Sequence, residues 1–219
     1  MRNRSFKTQL MMVLTTLSLA LSSQNTAKDI FQAKEIVWYG LNFTEAKMVG
    51  SFDQAFGAGD AGASEIKTRW MPSWNALIVT EPQNYKLKEA FDKESIYYDI
   101  APSEKANQSV KTGELMRLNA YSFDDPQKAI KAALARMSTG EKKAGIGATF
   151  VVESFNKTVD EATVYVVLFD IKTKAVLISE KISGKPTGIG LRNFWAGAMK
   201  QVIKQIQKTY YPKWQAANK

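Results

Sequence analysis

Cysteine and histidine are both missing from the 219 residues of this chain. Without cysteine there are no disulfides, no thiol nucleophile, no thiolate metal site and no residue for a lipoprotein acyl anchor. Without histidine, Ser-His-Asp and Cys-His catalysis are excluded, and the commonest ligand for zinc, copper or nickel is gone. Carboxylate chemistry, lysine chemistry and oxygen-ligated calcium sites survive these absences. No catalytic residue, metal site or cofactor motif stands out among what remains, so the expectation is a protein without chemistry of its own. Acids are also in deficit, with 21 Asp and Glu against 30 Lys and Arg and a formal net charge of +9.

The distribution of that charge begins at the N-terminus. Arg2, Arg4 and Lys7 precede an uncharged apolar run from Leu10 to Leu21, followed by Ser22, Ser23 and Gln24. A basic start, a short apolar run and small polar residues after it predict a secretory signal peptide over residues 1–23. The run falls short of the roughly 20 apolar residues that a membrane-spanning helix needs, so no membrane span is expected. Export to the periplasm or beyond follows, and removing the three leading cations leaves a mature charge of about +6. Such a charge suits an anionic envelope surface or an envelope protein, whereas export makes nucleic acid a poor partner. With no disulfides available, the exported chain must be held by core packing, and about 195 residues can bury some 70% of their unfolded surface.

Hydrophobic patterning predicts an α+β fold. Residues 24–34 read as a flexible polar lead-in, and residues 35–219 as a single layered domain. Glu35 to Phe43 is rich in β-branched and aromatic residues and reads as a first strand, with a shorter one over Ile96 to Ile100. Phe56 to Ala63 is rich in glycine and alanine and reads as a flexible loop. Helical character from Ser64 to Phe91 is interrupted by Pro72 and Pro82, which predicts breaks at both. Trp70, Trp74, Leu77 and Ile78 share one helical face. Asp125-Pro126 marks a helix start, Ile130, Ala133, Leu134 and Met137 give its apolar face, and Gly140 its stop. Three strands then follow closely, Ile146 to Phe155, Thr163 to Asp170 and Ala175 to Ile182. Their short connections predict a meander, within a sheet expected to be mixed or antiparallel and covered by helices. The middle strand, apolar on both faces, is expected to be central. A last amphipathic helix runs from Leu191 to about Tyr210.

The segments that point to function lie near the C-terminus. After Glu180 no acidic side chain occurs, yet eight lysines and arginines do. On the last helix, Arg192, Lys200, Lys204 and Lys208 fall within about 160° of arc, opposite the apolar face. That pattern suits a surface that docks an anionic partner, although charge runs of this kind are usually just a solvated helix face. Before the helix, Ser183 to Gly190 forms a glycine-rich turn in which Lys185, Thr187, Gly188 and Gly190 offer charge, a hydroxyl and accessible backbone N–H groups to an anion. Glycine and lysine are not at Walker A spacing. Trp70 and Trp74 flank Pro72 beside the glycine-rich loop, and an aromatic pocket there, lidded by Gly57 to Gly62, would suit a small ligand or a glycan. A carboxylate-dependent hydrolase would need two acids about 5–9.5 Å apart across a cleft, and no pair is evident in the sequence. Asp125 is explained by helix capping, and Asp170 by the turn that follows it.

Several stretches resemble known sequences. Trp38-Tyr-Gly-Leu-Asn42, Trp74-Asn-Ala-Leu-Ile78, Val167 to Lys174 and Gly188 to Ala196 look like a group of exported proteins from Bacteroidetes. Residues 146–209, with a strand ending in Phe169-Asp-Ile-Lys-Thr-Lys-Ala-Val-Leu177 before an amphipathic helix, are similar to envelope domains of the LpoB, CsgG and TolB N-terminal type. The second resemblance implies binding of a protein partner with no catalytic residues, although the lipobox cysteine of LpoB and CsgG is missing here. Charge, export and resemblance together lead to a non-catalytic envelope-binding protein without cofactor. Its oligomeric state is not legible.

Overall fold

A computed structural model describes residues 24–52 and 62–219. The expected signal peptide, and all but the end of the expected glycine-rich loop, lie outside the described residues. Among the described residues the fold is α+β, with one seven-stranded sheet covered by helices. Its strands are β1 (Glu35–Asn42), β2 (Lys47–Val49), β3 (Ser95–Tyr98), β4 (Met116–Arg117), β5 (Ile146–Asn156), β6 (Glu161–Asp170) and β7 (Val176–Gly184).

Pairing corrects the expectation for the sheet. Strands β1, β2, β3 and β4 enter it only through parallel contacts: β1 with β3 and β5, and β2 with β4 and β5. Among the described residues only β5, β6 and β7 pair antiparallel, as the short connections between them require. In space β1 and β2 form one interrupted row beside β5, since β1 pairs with residues 147–151 and β2 with residues 154–156. Strands β3 and β4 form a second interrupted row outside them. Strand β6, between β5 and β7, alternates Val164, Val166 and Leu168 toward one core with Tyr165, Val167 and Phe169 toward the other. Apolar residues on both faces are accounted for by cover on both sides.

The outer row has a gap, because β3 stops opposite Trp38 and β4 begins opposite Met48. Side chains fill it. Asn75 accepts a hydrogen bond from Leu41 N–H at 2.6 Å and donates to Leu41 C=O at 3.2 Å. Asn107 accepts from Phe43 N–H at 2.7 Å and donates to the same Leu41 carbonyl at 3.0 Å. Two amides thus replace a missing strand, leaving no buried backbone group at Leu41 without a partner. The strand bulges between Trp38 and Leu41, where Gly40 has φ +89° and a Cβ would sit 2.5 Å from Asn75 Oδ1. Only glycine permits both the conformation and the close approach.

The larger core lies against one sheet face under five helical segments. They are α1 (Ala27–Gln32), α2 (Ala63–Glu65, Ile66–Trp70 and Met71–Thr80, continuous), α3 (Pro82–Tyr85), α4 (Leu87–Ala90) and the long C-terminal helix. The opposite face is covered by α5 (Ala101–Asn107) and α7 (Pro126–Arg136), with α6 (Thr112–Leu115) leading into β4. The C-terminal helix, α8, comprises Gly190–Gln205, Ile206–Tyr210 and Tyr211–Ala217.

Pro72 does not break its helix, contrary to expectation. Residues Ile66–Trp70 form a π-turn, closed by Met71 N–H on Ile66 C=O, and proline follows directly. The wider turn accommodates a residue that has no N–H to give and would otherwise clash with the preceding turn. The same device recurs in α8, where Tyr211 N–H bonds Ile206 C=O ahead of Pro212. Pro82 does mark a break, with Glu81 outside helical geometry.

Two further expectations are revised. Helix α7 starts as predicted, Asp125 accepting from Lys128 N–H at 3.0 Å, but it ends at Arg136, before Gly140. Gly140 serves a different contact, since a Cβ there would collide with the Asp99 carboxylate that receives Glu141 N–H at 2.7 Å. The lead-in expected to be flexible contains α1, whose Ile30 is fully buried and whose start is closed by a Thr26–Asp29 capping box. Asn25 ties the segment to the sheet, donating to Asp170 through its backbone at 3.1 Å and its side chain at 2.6 Å.

Candidate functional site

Helix α8 is amphipathic for a reason visible along its length. Leu191, Trp195, Ala198, Met199, Val202 and Ile206 enter the larger core, so Arg192, Lys200, Lys204 and Lys208 are left on the solvent side. Against that side lies the short α3 with the turn at Lys86, which has φ +26° between two helical segments. Two adjoining grooves result. The first, about 500 Å³, is lined by Glu81, Tyr85, Thr187, Gly188, Arg192 and Lys200 among others. The second, about 220 Å³, runs on past Tyr85, Lys86, Lys200, Lys204, Gln207 and Lys208. Tyr85 and Lys200 belong to both and join them.

The sequence-predicted residues therefore separate into two groups. Thr187, Gly188, Arg192 and Lys200 come together in the first groove, and Lys200, Lys204 and Lys208 in the second. Lys185 and Gly190 line neither, although Gly190 takes φ +78° at the head of α8. Gly197 lets the turn lie close, because a Cβ there would collide with the Thr187 backbone. Tyr85, Lys86 and Glu81 could not be reached from helical periodicity, since they sit more than a hundred residues before α8. The break at Pro82 was the one local sign that the chain turns there.

Arg192 approaches Glu81 at 3.7 Å, a long contact between two partly exposed groups. Such a pair contributes at most about 1 kcal/mol. The Lys200 ammonium lies 5.9 Å from the Tyr85 ring centre. Lys204 and Lys208 have no ionic or hydrogen-bond partner among the described residues. Tyr85 is 4% exposed, and its hydroxyl has no hydrogen-bond partner among the described residues. Burial, reinforced by the Glu81 carboxylate and opposed by Arg192, pushes that phenol up to about 12, so it is a neutral donor at ordinary pH. The arrangement offers a row of cations and one phenolic donor to a negatively charged molecule.

Comparison with protein-family models and with curated proteins finds no match to the chain.

The aromatic pocket expected at Trp70 and Trp74 is corrected. Both side chains point into the core, at 7% and 1% exposure. Trp74 packs on Phe43 and Phe155, Phe155 stacks on Trp195 at 4.7 Å, and Trp195 stacks on Phe52. Neither indole is open to a sugar ring, and residues 57–61 of the expected lid lie outside the described residues. The carboxylates of Asp170 and Glu153 are similarly committed. Asp170 receives Thr173 and Asn25, and buried Glu153, the bulged residue of β5, receives Phe123 N–H at 2.8 Å and Lys181 Nζ at 2.6 Å. Among the described residues, no helix is long and apolar enough to cross a membrane.

Proposed function

We propose that this is an exported, non-catalytic binding protein of the cell envelope, which docks an extended acidic segment of a partner protein along α8. One observation supports the reading above others. Lys86, Arg192, Lys200, Lys204 and Lys208 converge on two joined grooves in whose linings Glu81 is the sole carboxylate among the described residues. From Arg192 to Lys208 the helix rises about 24 Å, the length of some seven residues of extended chain. A concave surface favours a segment over a flat membrane. The apolar side chains of α8 are already spent in the core, so none is left to insert into lipid.

The test is fluorescence anisotropy of a labelled octaglutamate peptide over a salt series, with octaglutamine as control. Binding should weaken as salt screens the charges and disappear when Lys200, Lys204 and Lys208 are changed to Glu. Equal binding by wild type and variant would sink the reading. Retention on anionic vesicles without octaglutamate binding would move the site to a lipid surface.

A further inference from the structure

We propose that the cavity between α2 and α5 is a second, independent site, which binds a compact zwitterion of the amino-acid or dipeptide class. The inference does not depend on the acidic-segment reading, since the two sites share no residue. The cavity measures about 320 Å³ and is lined by Lys67, Thr68, Pro72, Asn75, Glu104 and Asn107 among others. Its volume is at the small end of ordinary ligand pockets, which run about 300–1,000 Å³. It lies where the outer sheet row is interrupted, so its floor is the pair of amides that complete β1.

Opposite charges stand in this cavity without meeting. No ion pair joins Lys67 to Glu104, and the Glu104 side chain has no partner of any kind among the described residues. Glu104 is half-buried, and burial raises its carboxyl above the ordinary range, the mark of a carboxylate whose lost hydration has not been replaced. A protonated amine placed beside it would supply the missing partner. Lys67 donates to Val110 C=O at 2.8 Å, which anchors the ammonium and leaves two of its N–H groups for a carboxylate. Asn107 spends one amide N–H on Leu41 and retains the other, and the Thr68 hydroxyl, donating to Ser64, can still accept. Pro72 provides an apolar wall for a small side chain.

Selectivity follows from holding both charges in one cavity. A molecule with only an amine or only an acid leaves one of the two protein charges unpaired and partly desolvated. The floor is also fixed in advance, because Asn75 and Asn107 are held by β1, so little ordering is needed on binding.

The experiment is isothermal titration of the full chain, with thermal unfolding in parallel at about 10 mM ligand. The probes are L-alanine, D-alanine and L-alanyl-L-alanine, against propylamine and propionate. At least one zwitterion should bind and raise the melting temperature, with both single-charge probes weaker by about tenfold or more. Glu104→Gln, whose side chain has no hydrogen bond or ion pair among the described residues, should weaken zwitterion binding by about tenfold or more while leaving unliganded stability undiminished, since it removes a desolvated charge. Lys67→Gln should act similarly, with its folding checked because it also releases Val110. Failure of every zwitterion to bind, equal binding of propylamine or propionate, or undiminished binding to Glu104→Gln would each overturn the proposal.

Discussion

The side-chain amide of Asn75 exchanges both of its hydrogen bonds with one residue, Leu41, standing in for a β-strand that the described residues do not provide. The exchange is possible because Gly40 has no side chain to stand between them. Local strand geometry, a helix-borne amide and a glycine at positive φ thus form one unit. That unit holds α2 against the sheet, and with it the floor of the α2–α5 cavity.

Asn75→Ala should therefore cost about 2–3 kcal/mol, since Leu41 N–H is left buried without an acceptor. Leu41 C=O keeps Asn107 and loses less. Gly40→Ala should also destabilise, through its positive φ and through collision with Asn75 Oδ1. In the double variant the collision is gone, so the loss should be smaller than the two single losses added. Urea unfolding of the four proteins gives this coupling directly, and strict additivity would show that the residues do not act together.

Acid should loosen the N-terminal segment first. Burial on its own would raise the Asp170 carboxyl. Hydrogen bonds from the backbone and side chains of Thr173 and Asn25 outweigh it and hold the group below its usual range. A depressed folded pKa means that the unfolded chain takes up the proton more readily. The stabilisation is then complete above about pH 4, the ordinary aspartate value, and declines as pH falls through the folded value. Amide hydrogen exchange over α1 should accelerate across that window before exchange in β5 and β6 does. Asp170→Asn should flatten the dependence, and an unchanged acid profile in that variant would assign the effect to other groups.

Legibility in the sequence divided along physical lines. The β5–β6–β7 meander and the start of α7 depend on neighbours in the chain, namely alternation, short connections and the Asp125-Pro126 cap, so local reading found them. Parallel pairing of β1 with β3 and β5 joins residues some 60 and 110 positions apart. No local period encodes such pairing. Nothing local marks Asn75 and Asn107, because their role is defined by a gap in a distant sheet row. Pro72 looked like a breaker because sequence periodicity cannot show a π-turn. The basic face of α8 was evident, whereas its opposite wall at Tyr85 and Lys86 was not. The Trp70 and Trp74 pocket failed since an aromatic beside a proline reads the same whether it faces solvent or core.

Within the double groove, Glu81 is the group that opposes an anionic ligand. Glu81→Gln should raise affinity for octaglutamate by a few-fold at low salt, with the gain fading toward about 1 M salt, where the screening length falls to about 3 Å. Lys204→Glu should lower it, because Lys204 lines the groove without a partner of its own among the described residues. Anisotropy titrations at two ionic strengths test both, and a rise in affinity for Lys204→Glu would exclude this groove as the acidic-segment site.

All five tryptophans are buried, and four of them present an unusual feature. Trp214 donates to Glu180 at 3.1 Å, but the indole N–H groups of Trp38, Trp70, Trp74 and Trp195 have no acceptor among the described residues. Trp38, Trp74 and Trp195 pack on other aromatic rings, which for Trp74 means Phe43 and Phe155. If packing alone holds Trp74, a phenyl ring should nearly suffice. Trp74→Phe loses some buried area but also removes an unpaired donor from the core, so its cost should stay within about 1.5 kcal/mol. Trp74→Ala keeps neither ring nor volume and should cost about 3–5 kcal/mol. Urea unfolding distinguishes the cases. A Trp74→Phe loss close to the alanine value would mean that the indole N–H does have a partner in solution, a buried water being the one small enough to fit.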